Sequence, residues 1–293
     1  MSVDVVVVSG ASTGIGRACA LHLDGLGMHV FAGVRREEDG ASLRAAASER
    51  LRSLQLDVTD EQQVESAAEE VAEATKGARF RGIVNNAGVA VSGPVEFVPI
   101  PEWRRQFEVN LFGTVSMIQR FLPLLRSSRG RIVNVSSVGG RFPQPLVAPY
   151  VASKHAIEAI SDVLRVELRP WGIQVALIEP GSVATPIWEK GLREGAAMVS
   201  TAPAGLGRLY GKAVEVGMRA AQHANDVGVP PERVARAVAH AMLSPRPRTR
   251  YVVGRDAHTM LMLKRLLPDR WRDEVILRAG GLPRSADRVT SAG

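Results

Sequence analysis

Tyr150 and Lys154 stand four residues apart in a stretch predicted to be helical, with Pro149 where a helix can start, so both side chains project from one face. Such a pair can move a proton. A free tyrosine has a pKa of about 10 and holds its proton too tightly for exchange near neutrality, whereas a nearby ammonium favours the phenolate. The same spacing also describes a solvated pair snorkelling along a surface helix. What surrounds the pair in sequence decides between the two.

A glycine-rich run, Ser9-Gly10-Ala11-Ser12-Thr13-Gly14-Ile15-Gly16, joins a predicted first strand to a predicted first helix. Its glycines permit a tight turn, and the backbone N–H groups at the helix start face outward, where a pyrophosphate can be held. Gly10, Ser12, Gly14, Ile15 and Gly16 are therefore expected to meet a dinucleotide, although a purely structural turn has the same look. Two further pieces recur at successive strand ends: Asp57 and Val58 after the third strand, and Asn85-Asn86-Ala87-Gly88 after the fourth. Each has a plainer reading, Asp57 as part of a helix cap and the Asn-Asn-Ala-Gly run as a loop brace. Their order along one sheet edge favours a nucleotide lying across it.

The elements that must position these residues follow a repeated strand-helix pattern. Strands are predicted at 3–8, 30–33, 53–56, 83–85, 131–135, 175–178 and 251–253. Helices are predicted from the glycine run through residue 26, from about 41, and at 61–74, 101–125, 150–169 and 231–243. This is the pattern of an α/β fold: one doubly wound parallel sheet of about seven strands, of the Rossmann type, with helices on both faces. Residues 1–255 are expected to form the dinucleotide-binding catalytic domain. Within it, 186–230 breaks the alternation, is rich in Gly and Ala, carries Trp188, Met198, Leu206, Tyr210 and Met218, and is expected to be an irregular substrate lid after strand six. Residues 256–293 are expected to be a basic, partly apolar helical extension.

Composition supports a globular chain that buries a core: 45% of residues are apolar and 23% charged. The single cysteine, Cys19, excludes an internal disulfide and a cysteine metal cluster. With no basic n-region before an apolar stretch, and with Asp4 interrupting a run too short to span a bilayer, a cytoplasmic location is expected. The net charge of +7 is concentrated at the end: from Arg246 onward eleven Lys and Arg face five acids, a net of +6. The body is near neutral, so no nucleic-acid partner is expected. The basic tail, with Met260, Leu263, Leu266 and Trp271, suits either peripheral membrane contact or a helix packing one face on the body. Six histidines show no metal-ligand spacing, and no metal is expected.

Taken together the motifs resemble the short-chain dehydrogenase/reductase family, closely from the glycine turn through Pro180-Gly181 and Thr185. The look is that of retinol, steroid and hydroxybutyrate dehydrogenase members, carried by Val-Asn-Asn-Ala-Gly at 84–88, Phe-Glu-Val-Asn at 107–110 and Leu-Arg-Pro-Trp-Gly at 168–172. The resemblance implies catalytic roles for Asn110, Ser137, Tyr150 and Lys154. Asn110 would hold a water linked to Lys154, Ser137 would polarise the carbonyl or hydroxyl, Tyr150 would transfer the proton, and Lys154 would lower the tyrosine pKa and hold the nicotinamide ribose. It further implies cofactor contacts at Asp57, Asn86, Ala87, Gly88, Tyr150, Lys154, Pro180, Gly181, Val183 and Thr185. Ser9 departs from the commoner threonine but keeps the hydroxyl. The helix of Tyr150 carries an apolar stripe, Ile157, Ile160, Leu164 and Leu168, and in this family that helix builds a dimer, so a homo-oligomer is expected.

After the second strand, Phe31-Ala32-Gly33-Val34-Arg35-Arg36 lacks the acid that would bind a ribose 2′-hydroxyl, and Arg35 can pair with a 2′-phosphate. NADP(H) is favoured, with NAD(H) still open. The expected substrate is a small apolar alcohol or ketone, retinoid, steroid or lipid-like. Two alternatives stay open: a 3-oxoacyl-thioester reductase whose basic surface docks an acidic carrier, and an NADP-binding redox sensor without turnover.

Overall fold

Four successive valines, Val5, Val6, Val7 and Val8, give a strand no polar face to turn to water, so β1 (Asp4–Val8) is buried on both sides near the middle of the sheet. The computed structural model describes residues 4–185, 187 and 205–282. β2 (His29–Val34), β3 (Leu51–Gln55), β4 (Arg79–Asn85), β5 (Arg131–Val135), β6 (Gln174–Pro180) and β7 (Arg250–Val253) complete one sheet, in the order β3-β2-β1-β4-β5-β6-β7. Every pairing is parallel. The order reverses between β1 and β4, and a crevice opens there beyond the carboxyl ends of the strands. The doubly wound α/β sheet is as expected.

The helices, in chain order, are α1 (Gly14–Gly25), α2 (Glu37–Arg44), α3 (Glu61–Ala74), α4 (Ile100–Phe107), α5 (Gly113–Ser128), α6 (Ala148–Glu167), α7 (Gly205–Val227), α8 (Pro231–Leu243), α9 (Arg255–Leu266) and α10 (Asp269–Gly280). α1 and α8 bury Leu23, Val234 and Met242 against one face of the sheet. α3 and α5 bury Val64, Met117 and Phe121 against the other, where Phe80 stacks on Phe121 at 5.9 Å.

Two segments differ from the sequence expectation. The helix expected at 101–125 is interrupted by a single π-helical turn, Glu108–Phe112, between α4 and α5. One extra residue in that turn rotates Asn110 inward, where it is buried; such bulges are frequent at functional sites. The expected irregular lid is in part a helix, α7, even though Gly205, Gly207, Gly211 and Gly217 each lower helix propensity. Tertiary packing overrides them: Leu206 and Ala213, two turns apart, are buried, and Tyr210 lies edge-on to Phe97. Trp188 and Met198 lie outside the described residues. The described part of the basic extension carries α9 and α10, and its Met260, Leu261, Leu263 and Ile276 pack on Val138 and Phe142.

Ile157 on α6 and Leu168 just after it are core residues, whereas Val163 and Val166 on the helix face solvent. Cys19 lies on the buried face of α1, and burial pushes its thiol up to about 12, which leaves it unreactive at physiological pH.

Candidate active site

The β1–α1 turn and the β4 end are a single braced unit. Ser9 Oγ accepts hydrogen bonds from the backbone N–H of Asn86 at 3.0 Å and of Ala87 at 3.1 Å. Asn86 Nδ2 donates in return to the carbonyls of Ser9 at 3.1 Å and Gly10 at 3.0 Å. Asn86 thus fixes the glycine turn from behind. Gly10 takes a left-handed φ of +65°, and a Cβ there would lie 2.7 Å from Ala87 Cα. A Cβ on Gly16 would overlap the Gly10 carbonyl oxygen and Asn86 Nδ2. No side chain caps α1 at Thr13, so its first N–H groups open toward the crevice.

At the far end, Asp57 and Asp60 divide the two roles left open by sequence. Asp60 caps α3 by accepting from the backbone of Gln62 and Gln63 at 3.0 and 3.2 Å. Asp57 instead accepts from Thr59 N–H and Oγ1 at 3.0 and 2.7 Å and lines the crevice. After β2, Arg36 is held by Asp39 through two bonds of 3.0 and 3.2 Å. Arg35 lines the crevice.

Ser137, Tyr150 and Lys154 converge at the carboxyl end of β5. Pro149 in the first turn of α6 presets the helix, and Tyr150 and Lys154 share its buried face. Lys154 Nζ donates to the Val135 carbonyl at 2.8 Å and sits 5.8 Å from the centre of the Tyr150 ring. The Ser137 hydroxyl accepts from Gly139 N–H at 3.0 Å and hydrogen-bonds the Tyr150 phenol. Burial brings the Lys154 amine down to about 8, against the opposing charge of Glu158. Burial also pushes the Tyr150 phenol up, and the Ser137 hydrogen bond offsets only part of that rise. Desolvation of the phenol is the larger effect here, and it works against the lowering expected from a nearby ammonium.

Asn110 stands behind this group. Its Oδ1 accepts from Val89 N–H at 2.9 Å, and its Nδ2 donates to the Val89 carbonyl and Ser153 Oγ, both at 3.1 Å. The amide pins the loop after Gly88 to α6 and makes no direct bond to Lys154.

One cleft of about 370 Å³ joins these pieces. Every site residue predicted from sequence lines it except Gly16 and Asn110, which support its wall from behind. Residues 4–195 match the family model described as short chain dehydrogenase. The chain belongs to the short-chain dehydrogenase family.

The dehydrogenase is 37% identical over 280 residues to the NADPH-dependent 3-dehydrocapnine reductase of Ornithobacterium rhinotracheale, covering 93% of this chain and 95% of the relative. It is 37% identical to mouse estradiol 17-beta-dehydrogenase 2, across 97% of this chain and 76% of that one. A Burkholderia phymatum short chain dehydrogenase/reductase solved in complex with NAD superposes with a TM-score of 0.76 at 27% identity, covering 97% of this chain and 98% of that one. The dehydrogenase is accordingly an NAD(P)-dependent oxidoreductase.

Sequence reasoning missed a second cavity, about 380 Å³ and largely apolar, that meets the cleft at Ser137 and Gly181. Its walls are Val138, Phe142 and Leu146 from the segment after β5, Ala213 and Gly217 from α7, and Met260 and Ile276 from α9 and α10. Leu146 holds a φ of +65°, a strained conformation for a branched side chain, and its carbonyl accepts from Gly93 N–H at 2.6 Å. No periodicity links these positions, which is why the sequence did not group them. Among the described residues no group of three His, Cys, Asp or Glu could hold a metal ion, and no helix is long and apolar enough to cross a membrane.

Proposed function

We propose that this dehydrogenase interconverts apolar, lipid-like alcohols and ketones using NADP(H), with Tyr150 as the general acid and base. The observation that carries the reading is the junction at Ser137, where a cleft of mixed polarity with a phosphate-type turn opens into a more apolar cavity beside a buried phenol. The cleft fits a dinucleotide: the uncapped start of α1 and the left-handed Gly10 turn suit the pyrophosphate, and Asp57 and Val58 the adenine end. Pro180, Gly181, Val183 and Thr185 close the nicotinamide end. When bound, the nicotinamide supplies or accepts the hydride.

The protein manages the proton and the developing charge. In reduction, Ser137 Oγ hydrogen-bonds the substrate oxygen while Tyr150 Oη gives its proton to that oxygen; in oxidation Tyr150 takes the proton back. A phenol whose pKa is raised by burial is protonated at neutral pH, which suits the reductive direction. Lys154 as ammonium stabilises the phenolate that remains.

Turnover of a panel of long-chain ketones, steroids and retinoids with purified protein and NADPH tests the function. Oxidation of NADPH by at least one apolar carbonyl is expected, and no turnover of any member in either direction would sink the reading. Cofactor choice rests on Arg35, which reaches the cleft while Arg36 is held by Asp39. Arg35→Ala is expected to weaken NADP⁺ binding about tenfold, the order of one charge-assisted hydrogen bond, with little change for NAD⁺. Equal losses for both nucleotides would remove the 2′-phosphate contact.

The tail supports a second part of the proposal, docking on an anionic lipid surface. Met262 and Leu266 on α9 and Trp271 and Val275 on α10 are exposed, Leu266 at 66% and Trp271 at 70%, among Arg265, Arg270 and Arg278. The inner faces of the same helices wall the apolar cavity. Co-flotation with phosphatidylserine-containing vesicles is expected, and Leu266→Ala/Trp271→Ala should lower the bound fraction several-fold. Equal flotation of the double variant would overturn this docking face.

A further inference from the structure

Tyr150, Lys154, Glu158 and Asp162 recur every fourth residue along α6, so a row of ionisable groups runs from the proton-transfer site into the protein body. Lys154 has Tyr150 and Glu158 on its own helix, and Glu158 in turn faces Arg250 of β7, Glu179 of β6 and Lys264 of α9, with Arg141 of the turn after β5 held on Glu179. Glu158 is 7% exposed. Its Oε2 accepts from Arg250 Nε at 3.2 Å and Nη2 at 3.1 Å, while its Oε1 is buried with no hydrogen-bond partner among the described residues.

A carboxylate serving only to anchor Arg250 is poorly served by that arrangement, since an unsatisfied buried oxygen is costly. Arg250 is moreover already held by Asp162 at 2.8 Å and by Glu179 at 3.0 Å. Gly140 brings the turn after Ser137 against both neighbours: a Cβ there would meet the Lys154 carbonyl oxygen at 2.9 Å and Glu158 Cγ at 3.1 Å.

Resting on the reading of Tyr150 and Lys154 as the proton-handling pair, we propose that Glu158 is a positioning residue whose negative charge keeps Lys154 in its ammonium form beside Tyr150. Burial works against the ammonium and brings the amine to about 8, and Glu158 is the charge that opposes the fall. The ammonium matters because proton transfer from Tyr150 leaves a phenolate, which a neutral amine would not stabilise. Glu158 touches neither substrate nor nucleotide; it acts through Lys154.

The chain has five lysines, so the Nζ of Lys154 can be followed in nitrogen-15-labelled, nucleotide-free protein and assigned with Lys154→Arg. In the wild type its titration midpoint is expected near 8. Glu158→Gln should lower the midpoint by about one unit, a tenfold change in the ammonium-to-amine ratio at fixed pH. The alkaline limb of kcat/KM for NADPH should move down with it, because that ratio reports groups in the free enzyme. Activity should then fall about fivefold at pH 8, where the ammonium fraction drops from about one half to about one eleventh, and recover toward pH 6. Glu158→Asp should restore the limb, and Asp162→Asn, which removes a charge from the same Arg250 cluster two turns from Lys154, should leave it in place.

A uniform loss across pH in Glu158→Gln, with the Lys154 midpoint unmoved, would show a merely structural residue and overturn the proposal. Should Glu158→Gln fold poorly, Glu158→Gln/Arg250→Met removes the opposing pair together and is held to the same midpoint criterion. The two layers fail separately: wild-type activity in Tyr150→Phe sinks the proton-handling pair, whereas an inactive Tyr150→Phe with an unshifted Glu158→Gln sinks only the role of Glu158.

Discussion

Tyr150→Phe is expected to lower kcat by about a thousandfold or more, within the range that general acid-base catalysis contributes, while NADP⁺ binds within about threefold of wild type. The phenylalanine fills the same buried space, so the packing of Tyr150 against Ala90 and Val151 is kept and only the hydroxyl is lost. Loss of that hydroxyl removes the group that exchanges a proton with the substrate oxygen and also the hydrogen bond to Ser137. Ser137 retains its bond from Gly139 N–H, so the turn after β5 should hold its shape. Single-turnover mixing of NADPH with an active carbonyl, alongside nucleotide titration by fluorescence, separates chemistry from binding. A variant that binds nucleotide and turns over normally would show that another group moves the proton.

The grouping of Ser137, Tyr150 and Lys154 at one cleft was legible in sequence because the parts recur in order at strand ends. Ser137 closes β5, Tyr150 and Lys154 fall one turn apart on the next helix, and the glycine turn follows β1. Each element announces itself through local chemistry: continuous apolar runs for buried parallel strands, Pro149 for the start of α6, glycines for the turn. The protonation balance was not legible in the same way. The four-residue spacing tells that an amine is near a phenol, but Lys154 Nζ is turned onto the Val135 carbonyl, and the depth of burial decides the sign at Tyr150.

The apolar cavity was hidden for a different reason. Leu146, Gly217 and Ile276 come from three segments that have no common period and meet only once α7, α9 and α10 have packed. α7 itself reads as loop because four glycines depress its helix propensity, and only its contacts with the body reverse that. Glu158 was hidden too, since its partner Arg250 lies 92 residues further along, on β7.

The glycine turn carries the other large expected effect, and there the loss is in binding. Gly16→Ala is expected to weaken NADP⁺ binding by at least a hundredfold. The added methyl would overlap the Gly10 carbonyl oxygen and Asn86 Nδ2, and the first of these is backbone that cannot rotate away. Relief requires α1 to move off the turn, which displaces the uncapped N–H groups from the pyrophosphate position and stretches the Asn86 bonds to Ser9 and Gly10. Overpacking of this kind costs about 1–3 kcal/mol of stability, and each charge-assisted bond lost to the phosphate costs about 1.5–3 kcal/mol of affinity. Gly25→Ala is the matched control on the same helix, because a Cβ there meets nothing within 4 Å. It should leave binding unchanged and raise stability by about 0.5–1 kcal/mol through helix propensity. Calorimetric titration of NADP⁺ and thermal melts of both variants check the pair, and wild-type affinity in Gly16→Ala would mean that the phosphate is held somewhere other than the start of α1.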